Sequence, residues 1–462
     1  MHKMKGARAT VLDAIGSTPI VKLNKVAAHV KSDIYVKLEY MNPGGSMKDR
    51  VAMNIIRDAE RRGLLGPGST IIEATSGNTG AGLALVAAIR GYKCIFVMPD
   101  KMSAEKIAAL RAFGTKVVIC PTAVEPEDPR SYYEVTKRLV KETPNSFHSN
   151  QYYNPANPEA HYLSTGPEIW EQTGGEIDVF VAGMGTGGTI SGCGKYFKEK
   201  KPGFQVVGVD PIGSLYYEYV KTGRMTKPFS YYVEGIGEDF LPGTMNLKII
   251  DQIMRVDDKE CFLLTRELVR QEGLFCGGSC GAAVAGAIKY AEQLGDDKKN
   301  IVVLLPDSAQ KYLSKIFDDE WMRSNGFLEE EDPLGTVRDM LAHKRSQRGI
   351  ITAKRGDTLR SVIGLLKEHG ISQIPVMDRG RLSGLVSEID LLNYLLKNPG
   401  SMDVPVDEMV EADYATVTPQ TKIKLLKNIF NDAKLVCVLE RDDLVGVITK
   451  IDLIEYLASK RA

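Results

Sequence analysis

Val179-Phe180-Val181-Ala182-Gly183-Met184-Gly185-Thr186-Gly187-Gly188-Thr189 runs from four apolar residues through a glycine loop into an amphipathic segment that ends near Lys200. An apolar run read as a strand, a glycine turn and then a helix make up the repeating unit of an open α/β sheet. The unit recurs on both sides of this stretch. Ile34–Leu38, Thr70–Glu73, Cys94–Met98, Lys116–Cys120, Gln205–Val209 and Ile301–Leu305 read as further strands. Asp49–Arg62, Gly80–Arg90, Ala104–Phe113 and Thr189–Lys200 read as helices between them. The strand runs are almost continuously apolar, as expected of strands covered on both faces in a parallel sheet.

The glycines admit two readings. Gly183, Gly185 and Gly188 satisfy G-x-G-x-x-G, and Asp210 stands at the end of the next strand, which by itself is a dinucleotide fingerprint. Other loops weigh against a dehydrogenase. Asn42-Pro43-Gly44-Gly45-Ser46-Met47-Lys48-Asp49-Arg50 also joins a strand to a helix, which puts Lys48 where open α/β sheets bind ligands. The plainer account of it is a Pro-Gly turn with a solvated lysine. Glu73-Ala74-Thr75-Ser76-Gly77-Asn78-Thr79-Gly80 offers backbone N–H groups, hydroxyls and an amide at a helix N-terminus, a setting suited to a carboxylate. Its plainer account is a capped helix start. Cys276-Gly277-Gly278-Ser279-Cys280-Gly281 opens another helix, and no second Cys or His pair stands at zinc spacing, so no metal site is expected. A phosphate site for a cofactor smaller than a dinucleotide explains the Gly183–Gly188 glycines and leaves the other loops a purpose.

Composition narrows the class. Lys+Arg and Asp+Glu are both 59, so no overall field draws the chain to nucleic acid or an acidic membrane. No apolar run approaches the roughly 20 residues of a membrane span. The Met1–Lys5 stretch lacks the apolar centre of a signal peptide, and the 7 cysteines are scattered rather than arranged as a disulfide framework. The expectation is a cytoplasmic protein with neither nucleic-acid nor membrane partners. Ser324–Gly335 is acidic and glycine-bearing and reads as a linker. Beyond it Gly384-Leu385-Val386-Ser387-Glu388-Ile389-Asp390 reappears about 60 residues later as Gly446-Val447-Ile448-Thr449-Lys450-Ile451-Asp452. The reading divides the chain into an α/β domain at 1–325, a linker at 326–336 and a module at 337–462 made of two repeats, about 337–399 and 404–462.

In combination these motifs resemble the fold type II family of pyridoxal-phosphate enzymes over roughly Ala14 to Trp321. That family includes cysteine synthases, threonine dehydratases and cystathionine β-synthases. The resemblance implies a core of two open α/β subdomains and pyridoxal 5'-phosphate as cofactor. It implies Lys48 as the Schiff-base lysine and catalytic base, Asn78 at the cofactor's 3-hydroxyl, and Gly185, Thr186, Gly187, Gly188 and Thr189 at its phosphate. It also implies Ser279 at the pyridine nitrogen, although Ser279 could equally be a helix cap. Thr75, Ser76, Thr79 and Gln151 match positions that bind the substrate carboxylate, with Tyr152 and Gly237 as further substrate contacts.

Glu234-Gly235-Ile236-Gly237-Glu238-Asp239-Phe240-Leu241-Pro242 is similar to the cystathionine β-synthase branch, as are Leu274–Ser279, Leu305–Ser308 and Gln151–Pro158. The C-terminal duplication resembles a pair of CBS domains. The reaction implied is β-replacement through an aminoacrylate, joining L-serine (or an activated serine) to L-homocysteine to give L-cystathionine in transsulfuration. Cysteine synthesis from O-acetylserine and sulfide is the alternative. A third reading, a ligand sensor with a decayed enzyme core, conflicts with four intact cofactor motifs. The resemblance further implies a homodimer or higher homo-oligomer, and an adenosyl ligand (S-adenosylmethionine, AMP or ATP) at Ser387 with Asp390 or Thr449 with Asp452. Both pairs could instead be plain helix caps. Animal members carry an N-terminal haem segment. Here His2 is the sole candidate ligand in that region, so no haem is expected.

Overall fold

The computed structural model describes residues 6–75, 77–100, 102–122, 124–125, 127–329, 334–344 and 349–460. The chain divides into two units, Met1–Glu329 and Glu330–Ala462.

The described residues of the first unit form two sheets. In one, the spatial order is Ile20–Lys22, Asp33–Leu38, Asn300–Leu305, Val179–Gly183, Gln205–Pro211, Gln252–Val256. Every pairing there is parallel except that of Ile20–Lys22 with Asp33–Leu38. In the other, Lys116–Cys120, Lys93–Pro99, Thr70–Ala74 and Ser146–His148 lie side by side, all parallel. The central strands are buried throughout (Val179 to Ala182, Ile301 to Leu305) because helices cover both faces. Three strands carry no apolar run in the sequence. Ile20–Lys22 and Ser146–His148 are three residues each, and Gln252–Val256 is a half-exposed edge strand.

Helix α1 spans Lys48–Arg61 and α2 spans Asn78–Arg90. Both follow strands, as does Gly188–Lys200. Gly278–Leu294 instead follows the helix Asp258–Glu272, and its start is held beside the end of the strand Asn300–Leu305 by Gly277 N–H donating to Asp307 O at 3.0 Å. The four glycine loops therefore fall at the positively polarised ends of four helices. Beneath α1 lies a buried ionic cluster. Arg50 bonds Glu39 Oε2 and Oε1, both at 2.8 Å, and Glu168 Oε2 at 2.9 Å, while Lys37 also reaches Glu168 and Gln172. This ties the helix that starts at Lys48 to the strand Asp33–Leu38.

The second unit contains two three-stranded sheets, Ala353–Lys354, Gln373–Asp378, Arg381–Ser387 and Ala415–Val417, Leu435–Glu440, Asp443–Thr449. Each hairpin has a register shift at the equivalent place, Val376/Met377 and Val438/Leu439. The repeats interlock. Val337, Met340 and Leu341 pack into the core of the second repeat, and Val406 and Met409 into that of the first. No described helix in either unit is long and apolar enough to cross a membrane.

Candidate functional site

Lys48 opens α1 and is half-buried. Desolvation pulls its amine down to about 8, against the opposing charges of Glu238 and Asp307. The neutral amine is therefore far more populated near pH 7 than in a free lysine, which suits it as a nucleophile and a base. The loop before it is clamped on both sides: Gly44 N–H donates to Asp49 Oδ2 at 2.5 Å, and Lys311 Nζ donates to Gly45 O at 3.1 Å.

Asn78 stands at the start of α2, and its Nδ2 donates to Asp307 Oδ2 at 2.7 Å. Thr75 Oγ1 accepts from Gly77 N–H at 3.0 Å and Gly80 N–H at 3.2 Å, so its oxygen caps the loop. Thr79 Oγ1 donates to Gln151 Oε1 at 2.6 Å, which draws together two stretches that are 72 residues apart in sequence. Ser76 and His2 lie outside the described residues. Gln151 sits on a turn that the Glu73 carboxylate supports. That carboxylate accepts from the Ser149 hydroxyl and from the backbone of Asn150 and Gln151. Burial nevertheless pushes Glu73 up to about 7.

An acid with a raised native pKa binds more protons folded than unfolded, so its contribution to stability declines as pH rises through that range. Asp49 and Asp210, each raised to about 6, act in the same direction. Thermal stability should therefore fall from pH 5 to pH 7.5, and Glu73→Gln should flatten that decline by on the order of 1–2 kcal/mol. Parallel melting curves for parent and variant across this range would show that Glu73 is ionised throughout.

The Gly185–Thr189 loop has the form of a cradle for an anion. Gly187 is left-handed (φ 86°), and a Cβ there would lie 2.6 Å from Met245 Cα. A Cβ on Gly188 would strike Asn157 Oδ1, itself a buried oxygen without a hydrogen-bond partner. Thr186 Oγ1 accepts from Asn157 Nδ2 at 3.0 Å, and its carbonyl accepts from Thr244 Oγ1 at 2.6 Å. Thr189 Oγ1 lies 3.1 Å from Nε2 of His161, which burial and the charges of Lys48 and Arg50 hold well below the usual histidine range. A neutral imidazole there leaves the loop's N–H groups and helix end as the anion-binding elements. These donors fit a phosphate group.

Asp210 does not serve this loop. Its Oδ2 accepts from Tyr217 N–H at 2.8 Å, at the start of the helix Tyr216–Thr222. The dinucleotide fingerprint therefore lacks its ribose-binding acid. Ser279 is buried in the first turn of Gly278–Leu294, and the N-cap there is Gly277, so the helix-cap account of Ser279 does not hold. Gly237 (φ 76°) donates its N–H to Met184 O at 2.6 Å, next to the phosphate-loop candidates. Tyr152 is half-buried against Phe240, with ring centroids 5.1 Å apart. Glu234 bonds Lys106 at 2.5 Å and Lys315 at 2.7 Å. Burial works against its charge, but these ammonium groups keep its carboxyl below the usual range.

Residues 11–307 match the family described as pyridoxal-phosphate dependent enzyme, and residues 337–397 and 406–459 match the CBS domain. A cystathionine beta-synthase of Oryctolagus cuniculus is 41% identical over 470 residues, covering 97% of this chain and 85% of that protein. The chain belongs to the cystathionine β-synthase family. It is accordingly a pyridoxal-phosphate-dependent enzyme with a tandem CBS module. Two further proteins are also similar. A cysteine synthase of Staphylococcus aureus is 44% identical over 66% of this chain and 95% of its own length. The crystal structure of an O-acetylserine dependent cystathionine beta-synthase from Helicobacter pylori superposes with a TM-score of 0.62 at 39% identity, over 67% of this chain and 98% of that one.

In the CBS module both sequence-predicted pairs form capping boxes. Ser387 and Asp390 cap Glu388–Lys397, and Thr449 and Asp452 cap Lys450–Ser459. Thr449 and Asp452 also line a cavity of about 820 Å³ together with His369, Ser372 and Pro375 of the first repeat. Lys344 Nζ donates to Asp452 Oδ2 at 2.6 Å. The described residues contain no cluster suited to a metal ion.

Sequence reasoning assigned no role to Asp307, Lys311, His161, Asn157 or Glu73. Asp307, Asn157 and Glu73 lie within recognisable motifs, but only folding assigns them partners.

Proposed function

We propose that the chain condenses L-serine, or an activated serine, with L-homocysteine to give L-cystathionine. The observation that carries this is the convergence of Lys48, the Asn78 loop, the Gly185–Thr189 cradle and Ser279 in one unit that also holds the Glu234–Pro242 segment. Similarity to cystathionine β-synthases across 97% of the chain supports the same reading.

Lys48 would carry the cofactor and, once released by the amino-acid substrate, take the Cα proton at Nζ. Pyridoxal phosphate, when bound, supplies the electron sink for the charge left on Cα. Gly185, Thr186, Gly187, Gly188 and Thr189 would hold its phosphate, Asn78 its ring 3-oxygen and Ser279 its ring nitrogen. Thr75, Ser76, Thr79 and Gln151 would orient the substrate carboxylate so that the Cα–H bond faces Lys48. Tyr152 and Gly237 would border the substrate. A serine hydroxyl is too weak an acid to keep a pyridine nitrogen protonated, which favours loss of the β-substituent over prolonged build-up of charge at Cα. Ser279→Asp should therefore retain the cofactor yet shift the partition of products. Unchanged product ratios would remove Ser279 from this role.

The deciding assay offers serine or O-acetylserine against homocysteine or sulfide. Cystathionine as the fastest-formed product supports the proposal, and cysteine from O-acetylserine and sulfide would replace it with the cysteine synthase reading.

For the module, we infer an adenosyl ligand in the cavity beside Thr449 and Asp452. Binding to the native state alone raises the melting temperature by mass action. S-adenosylmethionine, AMP or ATP should therefore shift the parent and Asp390→Asn, and shift Asp452→Asn far less. Equal shifts in Asp452→Asn and the parent would remove this site.

A further inference from the structure

The site holds a second lysine beside Lys48. Lys311 lies in the short turn Ala309–Tyr312, after the strand Asn300–Leu305. Its Nζ donates to Asn78 Oδ1 at 2.7 Å, Gly45 O at 3.1 Å and Gly44 O at 3.4 Å. One ammonium thus joins the loop that presents Lys48 to the side chain that heads α2.

We propose that Lys311 is a positioning residue for the cofactor's ring oxygen, acting through the Asn78 amide. The proposal rests on the assignment of Asn78 to that oxygen given above. An asparagine side chain is nearly symmetric in shape, so its partners decide which end faces where. Here the partners are opposite charges. The ammonium can only donate, and it meets Oδ1. The Asp307 carboxylate meets Nδ2 at 2.7 Å and is itself fixed by the Tyr312 hydroxyl at 2.7 Å. A flipped amide would set its NH₂ against the ammonium and its oxygen against the carboxylate. Lys311 and Asp307 together hold Asn78 in one orientation, with a second Nδ2–H left as a donor.

The ammonium on Oδ1 also polarises the amide and strengthens that donor. A stronger donor stabilises the ionised form of a ring oxygen over its hydroxyl form. Lys311 acts at the same time on the Lys48 loop, whose carbonyls it holds while Asp49 holds the Gly44 N–H. The amine and the ring-oxygen partner are thereby set by a single atom.

The test compares full-length holoenzymes: parent, Lys311→Met, Lys311→Arg, Asn78→Ala and the Met/Ala double variant. Borohydride reduction and peptide mapping should find the cofactor on Lys48 in Lys311→Met. Its absorbance should move from the long-wavelength band of the ionised ring oxygen toward the near-ultraviolet band, and turnover should fall about tenfold. Lys311→Arg should restore most of the band. Asn78→Ala should show the same spectral move, and the double variant should add nothing to it, because the two residues act in series. A Lys311→Met spectrum that superimposes on the parent's while Asn78→Ala shifts would make Lys311 a loop clamp only. An unshifted Asn78→Ala would overturn the Asn78 assignment and the Lys311 proposal with it. Should Lys311→Met not fold, Lys311→Gln, which keeps a donor without the charge, carries the same comparison.

Discussion

Lys48→Ala is expected to lower turnover by on the order of 10⁴-fold, the upper range for removing a positioned proton-transfer group. It should also leave borohydride without the amine on which the cofactor is fixed. The reason is placement. Lys48 begins α1 at a strand end, with an amine depressed to about 8. Lys311 is near, but its ammonium is tied to Asn78 and two carbonyls. Steady-state rates together with mapping of the pyridoxyl peptide in the parent check this. A label on Lys311 or Lys106 would reassign the catalytic amine.

Arg50→Ala is expected to have the largest effect on stability, about 3–5 kcal/mol, the usual cost of removing one partner from a buried ion pair. Glu39 is 0% exposed and Arg50 5%, and Arg50 makes charged hydrogen bonds to Glu39 and to Glu168. Without the guanidinium, Glu39 is left as a buried charge with Thr18 and Asn42 as uncharged donors. Adding Glu39→Gln should recover part of the loss, since the stranded charge goes with it. Thermal unfolding of the single and double variants measures this, and a drop below about 1 kcal/mol for Arg50→Ala would show the cluster to be solvated. Because the cluster anchors α1, the cofactor content of the Arg50 variant should fall together with its stability.

The alternating apolar runs made the α/β class legible from sequence, since a buried parallel strand needs nearly every residue apolar. They could not reveal Ile20–Lys22 or Gln252–Val256, where edges are half-exposed and pairing comes from the neighbour. The Gly183–Gly188 loop shows the limit from the other side. Its motif is compatible with a dinucleotide until Asp210 is seen to cap a helix instead. Likewise Ser387 with Asp390 and Thr449 with Asp452 are equivalent in sequence, and the cavity beside Thr449 and Asp452 gives that pair its place in the proposal.

By itself the sequence determined the class of fold, the duplicated module and the residue types at the four helix starts, because these depend on periodicity and on backbone chemistry within a few residues. Tertiary structure alone decided the pairings across long separations. Thr79 meets Gln151, Asn78 meets Asp307 and Lys311, and Glu73 supports the turn carrying Gln151. Thr79 and Gln151 follow neighbouring strands of one sheet, whereas Asp307 and Lys311 come to Asn78 from beyond a strand of the other sheet. The orientation of an amide or the pKa of a buried acid depends on charges that no local stretch of sequence contains.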